Sequence, residues 1–93
     1  MHDLTAFQRD ILYILAGLDE PKGVEIKDEL DGYYDGEIYS GRLYPVLNDL
    51  ADTGLIKKGR VQHDKRINAY ELTNKGEREI EAHREWENKK LFN

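Results

Sequence analysis

The chain has 93 residues and no cysteine, so any chemistry must come from hydroxyls, carboxylates, imidazoles, amines and guanidinium groups. One short stretch, Ser40-Gly41-Arg42, combines three of the residue types that bind anions. It precedes Leu43, Val46, Leu47 and Leu50, whose spacing is that of a buried helical stripe. At the start of such a helix the backbone N–H groups lack intrahelical partners, and the positive end of the helix dipole favours negative charge. Ser40 is expected to cap the helix, and Gly41 has no side chain to hold a phosphate away. Arg42 can grip guanine O6 and N7 or a phosphate. On the bland reading it forms a surface pair with Glu37 or Asp49. Tyr39, Tyr44 and Asn48 flank the stretch, and the Tyr44 hydroxyl is within reach of a phosphate.

A second group is electrostatic. Residues 1–53 carry 12 acids and 4 bases, net −8, whereas residues 54–70 carry one acid and five bases, net +4. Those bases are Lys57, Lys58, Arg60, Lys65 and Arg66. The acidic half repels a polyanion and the basic block attracts one; the alternative is an ordinary solvated hairpin. His63 lies inside this block. His2, His63 and His83 have no carboxylate or histidine partners at metal-site spacing, so no metal and no cofactor are expected. Gly-rich phosphate loops, nucleophile elbows and paired-acid motifs are absent, which argues against an enzyme. There is no apolar run of about 18 residues and no basic cluster before the first apolar stretch. A soluble cytoplasmic protein, associated with the nucleoid if it binds DNA, is the expectation.

The elements that must position these groups follow from periodicity. Leu4, Phe7, Ile11, Ile14, Leu15 and Leu18 predict a first helix capped by Asp3 or Thr5. Leu12 and Tyr13 widen its apolar face, which suits either a broad core stripe or a second subunit. A second helix over residues 24–34 places Ile26, Leu30 and Tyr33 on one face. The third spans residues 40–52 and stops at Gly54. Pro45 falls near its start, where a missing N–H costs least; if Ser40 is the cap, one backbone bond is lost, and if the regular helix begins later, none is. Residues 55–61 and 67–72 then read as a hairpin around the polar QHDKR, and Thr73 caps a last helix. That helix carries only Ile80, Trp86, Leu91 and Phe92 as large apolar residues, with Trp86 about 120° from Ile80. Three helices, a hairpin and a fourth helix are the order of a winged helix-turn-helix, a mostly α fold with a small β-hairpin (α+β).

The motifs Gly41-x-Leu43-Tyr44-Pro45-x-Leu47-xx-Leu50, then Gly54-Leu55-Ile56, then Tyr70-x-Leu72-Thr73-xx-Gly76, resemble those of the PadR family of winged-helix transcriptional regulators. The resemblance covers residues 4 to about 80. It implies a homodimeric, sequence-specific regulator of double-stranded DNA, as a rule a repressor, acting on a pseudo-palindromic operator. One domain over 1–93 is expected, with a winged-helix core at about 4–73 and residues 74–93 as a dimerisation helix. The implied DNA-facing residues are Tyr39, Ser40, Gly41, Arg42, Tyr44, Asn48, Arg60, His63, Lys65 and Arg66. The implied dimer residues are Leu4, Phe7, Ile11, Trp86, Leu91 and Phe92. Two departures from many relatives are a recognition helix with one arginine and a net charge of −5. The acidity suits a salt-rich cell interior, although eight lysines run against a halophilic surface. The alternatives are a winged-helix module that binds a basic protein, and a ligand-responsive regulator with Trp86, Tyr13 and Phe7 around a pocket.

Overall fold

The computed structural model describes residues 3–61 and 64–92. In chain order it has α1 (Ala6–Gly17), α2 (Gly23–Tyr33), α3 (Ser40–Asp52), β1 (Ile56–Val61), β2 (Asp64–Leu72) and α4 (Asn74–Phe92). This is the α+β winged helix-turn-helix expected from the sequence.

Local rules explain the boundaries. Thr5, not Asp3, caps α1: its hydroxyl accepts from the Gln8 N–H at 3.1 Å, and the Gln8 side chain accepts from the Thr5 N–H at 2.8 Å. Gly54 ends α3 with φ of +80°, where a side chain would be strained. Thr73 caps α4, its hydroxyl accepting from the Gly76 N–H at 3.1 Å.

Phe7, Ile11, Leu12 and Leu15 of α1 are buried with Ile26 and Leu30 of α2 and with Leu43, Leu47 and Leu50 of α3. Ile38, Leu55, Ile56, Tyr70 and Ile80 complete the core. The breadth of the α1 stripe is therefore used within the subunit. Val46 is only half-buried, and Tyr33, expected on the inner face of α2, is 75% exposed. Tyr34 takes the inner position instead, against Phe7 with ring centroids 5.8 Å apart.

β1 and β2 pair antiparallel from Ile56↔Leu72 to Arg60↔Asn68, with a register shift before Val61↔Asp64. β2 starts three residues earlier than the sequence suggests, so Lys65 and Arg66 belong to the strand rather than to a loop. A third segment joins the wing: Lys22 bridges Ala69, and the Tyr70 N–H donates to the Pro21 carbonyl at 2.9 Å. The first turn of α2 is thereby tied to the hairpin.

Candidate nucleic-acid interface

The N-terminal half of α3 is divided by its own periodicity. Leu43, Leu47 and Leu50 are buried, while Tyr39, Ser40, Gly41, Arg42, Tyr44 and Asn48 are all exposed along the other side. Ser40 is not the cap. Tyr39 occupies the N-cap position without a side-chain bond, and Ser40 is the first helical residue. The helix starts one residue earlier because the Arg42 and Leu43 N–H groups both donate to the Tyr39 carbonyl, at 2.9 and 3.1 Å. The Ser40 hydroxyl is thus exposed rather than spent on capping.

The same shift settles the position of Pro45. Leu43 is the first residue to make an i→i−4 bond, so Pro45 lies two residues inside the bonded region. Having no N–H, it leaves the Gly41 carbonyl without its helical donor. Gly41 is exposed, so water can supply that bond.

Arg42 takes neither of its suggested acidic partners among the described residues. Its guanidinium lies over the Phe7 ring, 4.1 Å from the centroid, and 6.0 Å from the centre of Tyr34. A planar cation held on an aromatic face keeps its N–H edge directed outward. The aromatic platform was not legible from spacing, because it joins α1, α3 and the residue after α2.

Farther along, Lys58 of β1 donates to the Asn48 Oδ1 at 3.4 Å, joining the wing to α3. Arg60 is exposed on β1. His63 lies outside the described residues, as do the side chains of Lys65 and Arg66. The Tyr44 ring packs on Gly23, where a methyl group would collide with its hydroxyl and approach its ring carbons to 2.8 Å.

The candidate dimer residues divide differently. Ile11 has no exposed surface and Phe7 little, so both serve the core of their own subunit, and a second chain gains nothing from Ile11. Leu4 is half-buried. On α4, Trp86 is 49% exposed, Leu91 71% and Phe92 82%. The grouping of Trp86, Tyr13 and Phe7 around one pocket is not observed. Phe7 packs beneath Arg42, while Tyr13 faces His83, its hydroxyl 3.4 Å from Nδ1. His83 stacks on Trp86 and stands 3.5 Å from the Glu87 carboxylate. An open hollow of about 610 Å³ beside them is lined by Arg9, Asp10, Tyr13, Tyr33, His83 and Glu87. Burial, followed by the nearby Glu87 carboxylate, raises the Tyr13 phenol above its ordinary value. No group of three metal-ligating side chains occurs among the described residues. None of their helices is long and apolar enough to cross a membrane.

A helix-turn-helix with an exposed second helix, followed by a hairpin wing, defines the winged-helix class of DNA-binding transcriptional regulators. Within that class the chain belongs to the transcriptional regulator PadR-like family, whose model matches residues 11–82. It is similar to RosR of H. salinarum in crystals grown from NaBr, with 44% identity over 98% of this chain and 80% of that one (TM-score 0.89). It is also similar to a complex structure of the same RosR, with 44% identity over 98% and 76% of the two chains (TM-score 0.91). A mutant of E. coli MarR complexed with operator DNA is 26% identical over 86% of this chain and 53% of that one (TM-score 0.75). No curated protein sequence matches the chain.

Proposed function

We propose that the protein is a homodimeric, sequence-specific repressor that lays the N-terminal half of α3 in the major groove of an operator. The observation that carries this reading is the exposed row Tyr39, Ser40, Gly41, Arg42, Tyr44 and Asn48 on a helix anchored by three buried leucines. Arg42 is the base reader, with its guanidinium presented from the Phe7 face. Ser40, Gly41 and Tyr44 serve the adjoining phosphates. The wing, with Arg60, His63, Lys65 and Arg66, serves the flanking backbone or minor groove. MarR, a more distant relative in structure, is complexed with operator DNA, which supports the same mode here.

Dimerisation is assigned to residues 74–93, the rest of this single domain being the DNA-binding core. Trp86, Leu91 and Phe92 support this, because they are large, apolar and uncovered on one helix. Two copies imply a pseudo-palindromic operator with half-sites about one helical turn apart. The net charge of −5 and the similarity to an H. salinarum protein support a chain adapted to salt. At about 1 M salt the Debye length is near 3 Å, so repulsion from the acidic half is screened while direct contacts persist. We assign the protein to the cytoplasm, with no enzymatic activity.

The test is a titration of DNA upstream of its own gene at low and high potassium salt, by mobility shift or anisotropy. Arg42→Ala is expected to weaken the operator by about 1–3 kcal/mol and relax one base position. Lys65→Ala is expected to weaken every sequence alike. Failure of the unaltered protein to bind any duplex at either salt concentration overturns the reading.

A further inference from the structure

One turn of α1 supplies two side chains to the surroundings of Arg42. Phe7 lies beneath the guanidinium, and Asp10, three residues on and half-buried, meets the residue that follows α2. The Tyr34 hydroxyl donates to the Asp10 Oδ2 at 2.5 Å, the length of a bond from an O–H to a charged oxygen. At its other end Tyr34 caps α2, its backbone N–H donating to the Leu30 carbonyl at 2.8 Å. The residue is therefore fixed both at its backbone and at its hydroxyl. Its ring is tilted 55° to that of Phe7 and stands 6.0 Å from the guanidinium. Arg42 thus has a floor in Phe7 and a neighbour at its side in Tyr34.

Tyr34 acts here by place rather than by attraction, because 6.0 Å is the outer limit of a cation–π contact. What it sets is the orientation of the Phe7 ring and the space left to the arginine. A long, flexible side chain loses rotamer freedom when it must meet one base edge, and loses less if it is confined beforehand. Burial, and then the Asp10 bond, keep the Tyr34 phenol protonated far above neutral pH, so it remains the donor. The Arg42 charge acts on the same phenol in the opposite direction, which places the two groups within electrostatic reach.

We propose that Asp10 and Tyr34 are positioning residues for base recognition, their bond holding the Phe7–Tyr34 bracket that aims the Arg42 guanidinium. The inference rests on the reading above in which Arg42 reads a base. It assigns part of the sequence specificity to two residues outside α3 that stand apart from its exposed row. An acid on α1 thereby serves recognition of a polyanion without meeting it: its carboxylate takes the Tyr34 proton donor, and the ring carries the constraint to the arginine.

Tyr34→Phe keeps the ring and removes only the bond to Asp10; Asp10→Ala removes the acceptor, and Asp10→Asn restores an uncharged one. Thermal unfolding confirms that each variant folds. The readout is a ratio of affinities: duplex from upstream of the protein's own gene against the same duplex changed at the base pair that Arg42→Ala relaxes. Tyr34→Phe and Asp10→Ala are each expected to lower that ratio about 3-fold, and Asp10→Asn less, with affinity for unrelated duplex unchanged. In an Arg42→Ala background neither change is expected to alter it. In DNA-free protein, ¹⁵N relaxation is expected to show a more mobile Arg42 Nε–H in both variants. A bond that merely braces the fold shifts the thermal midpoint and moves neither the ratio nor the Arg42 mobility. An unchanged ratio, or an equal fall in affinity for every duplex, overturns the proposal. If the unaltered protein binds no duplex, the DNA reading fails separately and the relaxation measurement decides: raised Arg42 mobility in both variants keeps Asp10 and Tyr34 as positioning residues, and unchanged mobility overturns it.

Discussion

The contact between Arg42 and Phe7 couples the surface that would touch DNA to the hydrophobic core, and a double-mutant cycle measures that coupling. The guanidinium lies 4.1 Å from the Phe7 centroid, inside the roughly 6 Å range of cation–π attraction. Arg42 is exposed, which places the interaction at the solvated end of the range, about 0.5–1 kcal/mol. Tyr34, at 6.0 Å, sits at the limit and adds little. Phe7→Leu keeps an apolar group in the core but removes the aromatic face, and Arg42→Ala removes the cation. Urea unfolding of the four proteins cancels the packing cost of Phe7→Leu, because that cost is common to both arms of the cycle. The expected coupling is about 0.5–1 kcal/mol, equivalent to about 2–8 °C in Tm for a domain of this size. A coupling within about 0.2 kcal/mol of zero refutes the claim that the ring holds the guanidinium. Run as a DNA titration, the same cycle shows whether Arg42 stays on the ring when bound.

Gly41→Ala separates stability from binding: nothing lies within 4 Å of the added methyl, so the helix is expected to gain about 0.5–1 kcal/mol in urea while duplex affinity falls. A gain in both measurements shows that no phosphate approaches there. Gly76→Ala has the opposite sign in stability, because its methyl collides with the Leu55 carbonyl and meets Leu72 Cδ1 at 2.7 Å; a loss of about 1–3 kcal/mol is expected by denaturant unfolding. Burial, and then the 2.5 Å bond to Asp10, push the Tyr34 phenol up to about 12. A raised phenol favours the fold while it is neutral, so this contribution is full below about pH 10 and is lost as pH rises through about 12. Tyr34→Phe is expected to remove that part of the alkaline dependence in unfolding measured between pH 9 and 12.

The periodic elements were readable because the core is built from single-helix stripes: residues 40–52 matched α3 in full, with its three leucines inward. Thr5, Gly54 and Thr73 were readable for the same local reason, since caps depend on neighbours three or four residues away. Contacts between elements were not. Nothing in the spacing places Phe7 under Arg42, Tyr44 on Gly23, or Pro21 beside Tyr70. Tyr33 and Tyr34 show the limit within one helix: helical phase put Tyr33 inside, but the chain leaves α2 there and turns Tyr34 toward Phe7. The one-residue difference at Ser40 arises because Tyr39 offers its backbone carbonyl rather than a side chain, which no capping rule anticipates.

The Thr73 hydroxyl has a mechanical consequence. It lies 2.6 Å from the Gly54 carbonyl and 2.9 Å from that of Leu55, while accepting from the Gly76 N–H. Lys75 adds a bond to the Thr53 carbonyl at 2.6 Å. The end of α3, the root of the wing and the start of α4 are therefore riveted at one point. Beyond Ile80 no residue of α4 is buried, and its 19 residues span about 28 Å. The helix is also held to α1 farther along, where Ile80 joins the core and the Tyr13 hydroxyl lies 3.4 Å from the His83 Nδ1, so the part that overhangs the subunit starts beyond His83. From there to Phe92 it runs about 14 Å, and a bend of about 20° at the last contact carries the tip about 5 Å. Displacing the exposed Leu91 and Phe92 is therefore expected to bend this overhang and to leave α3 and the root of the wing in place.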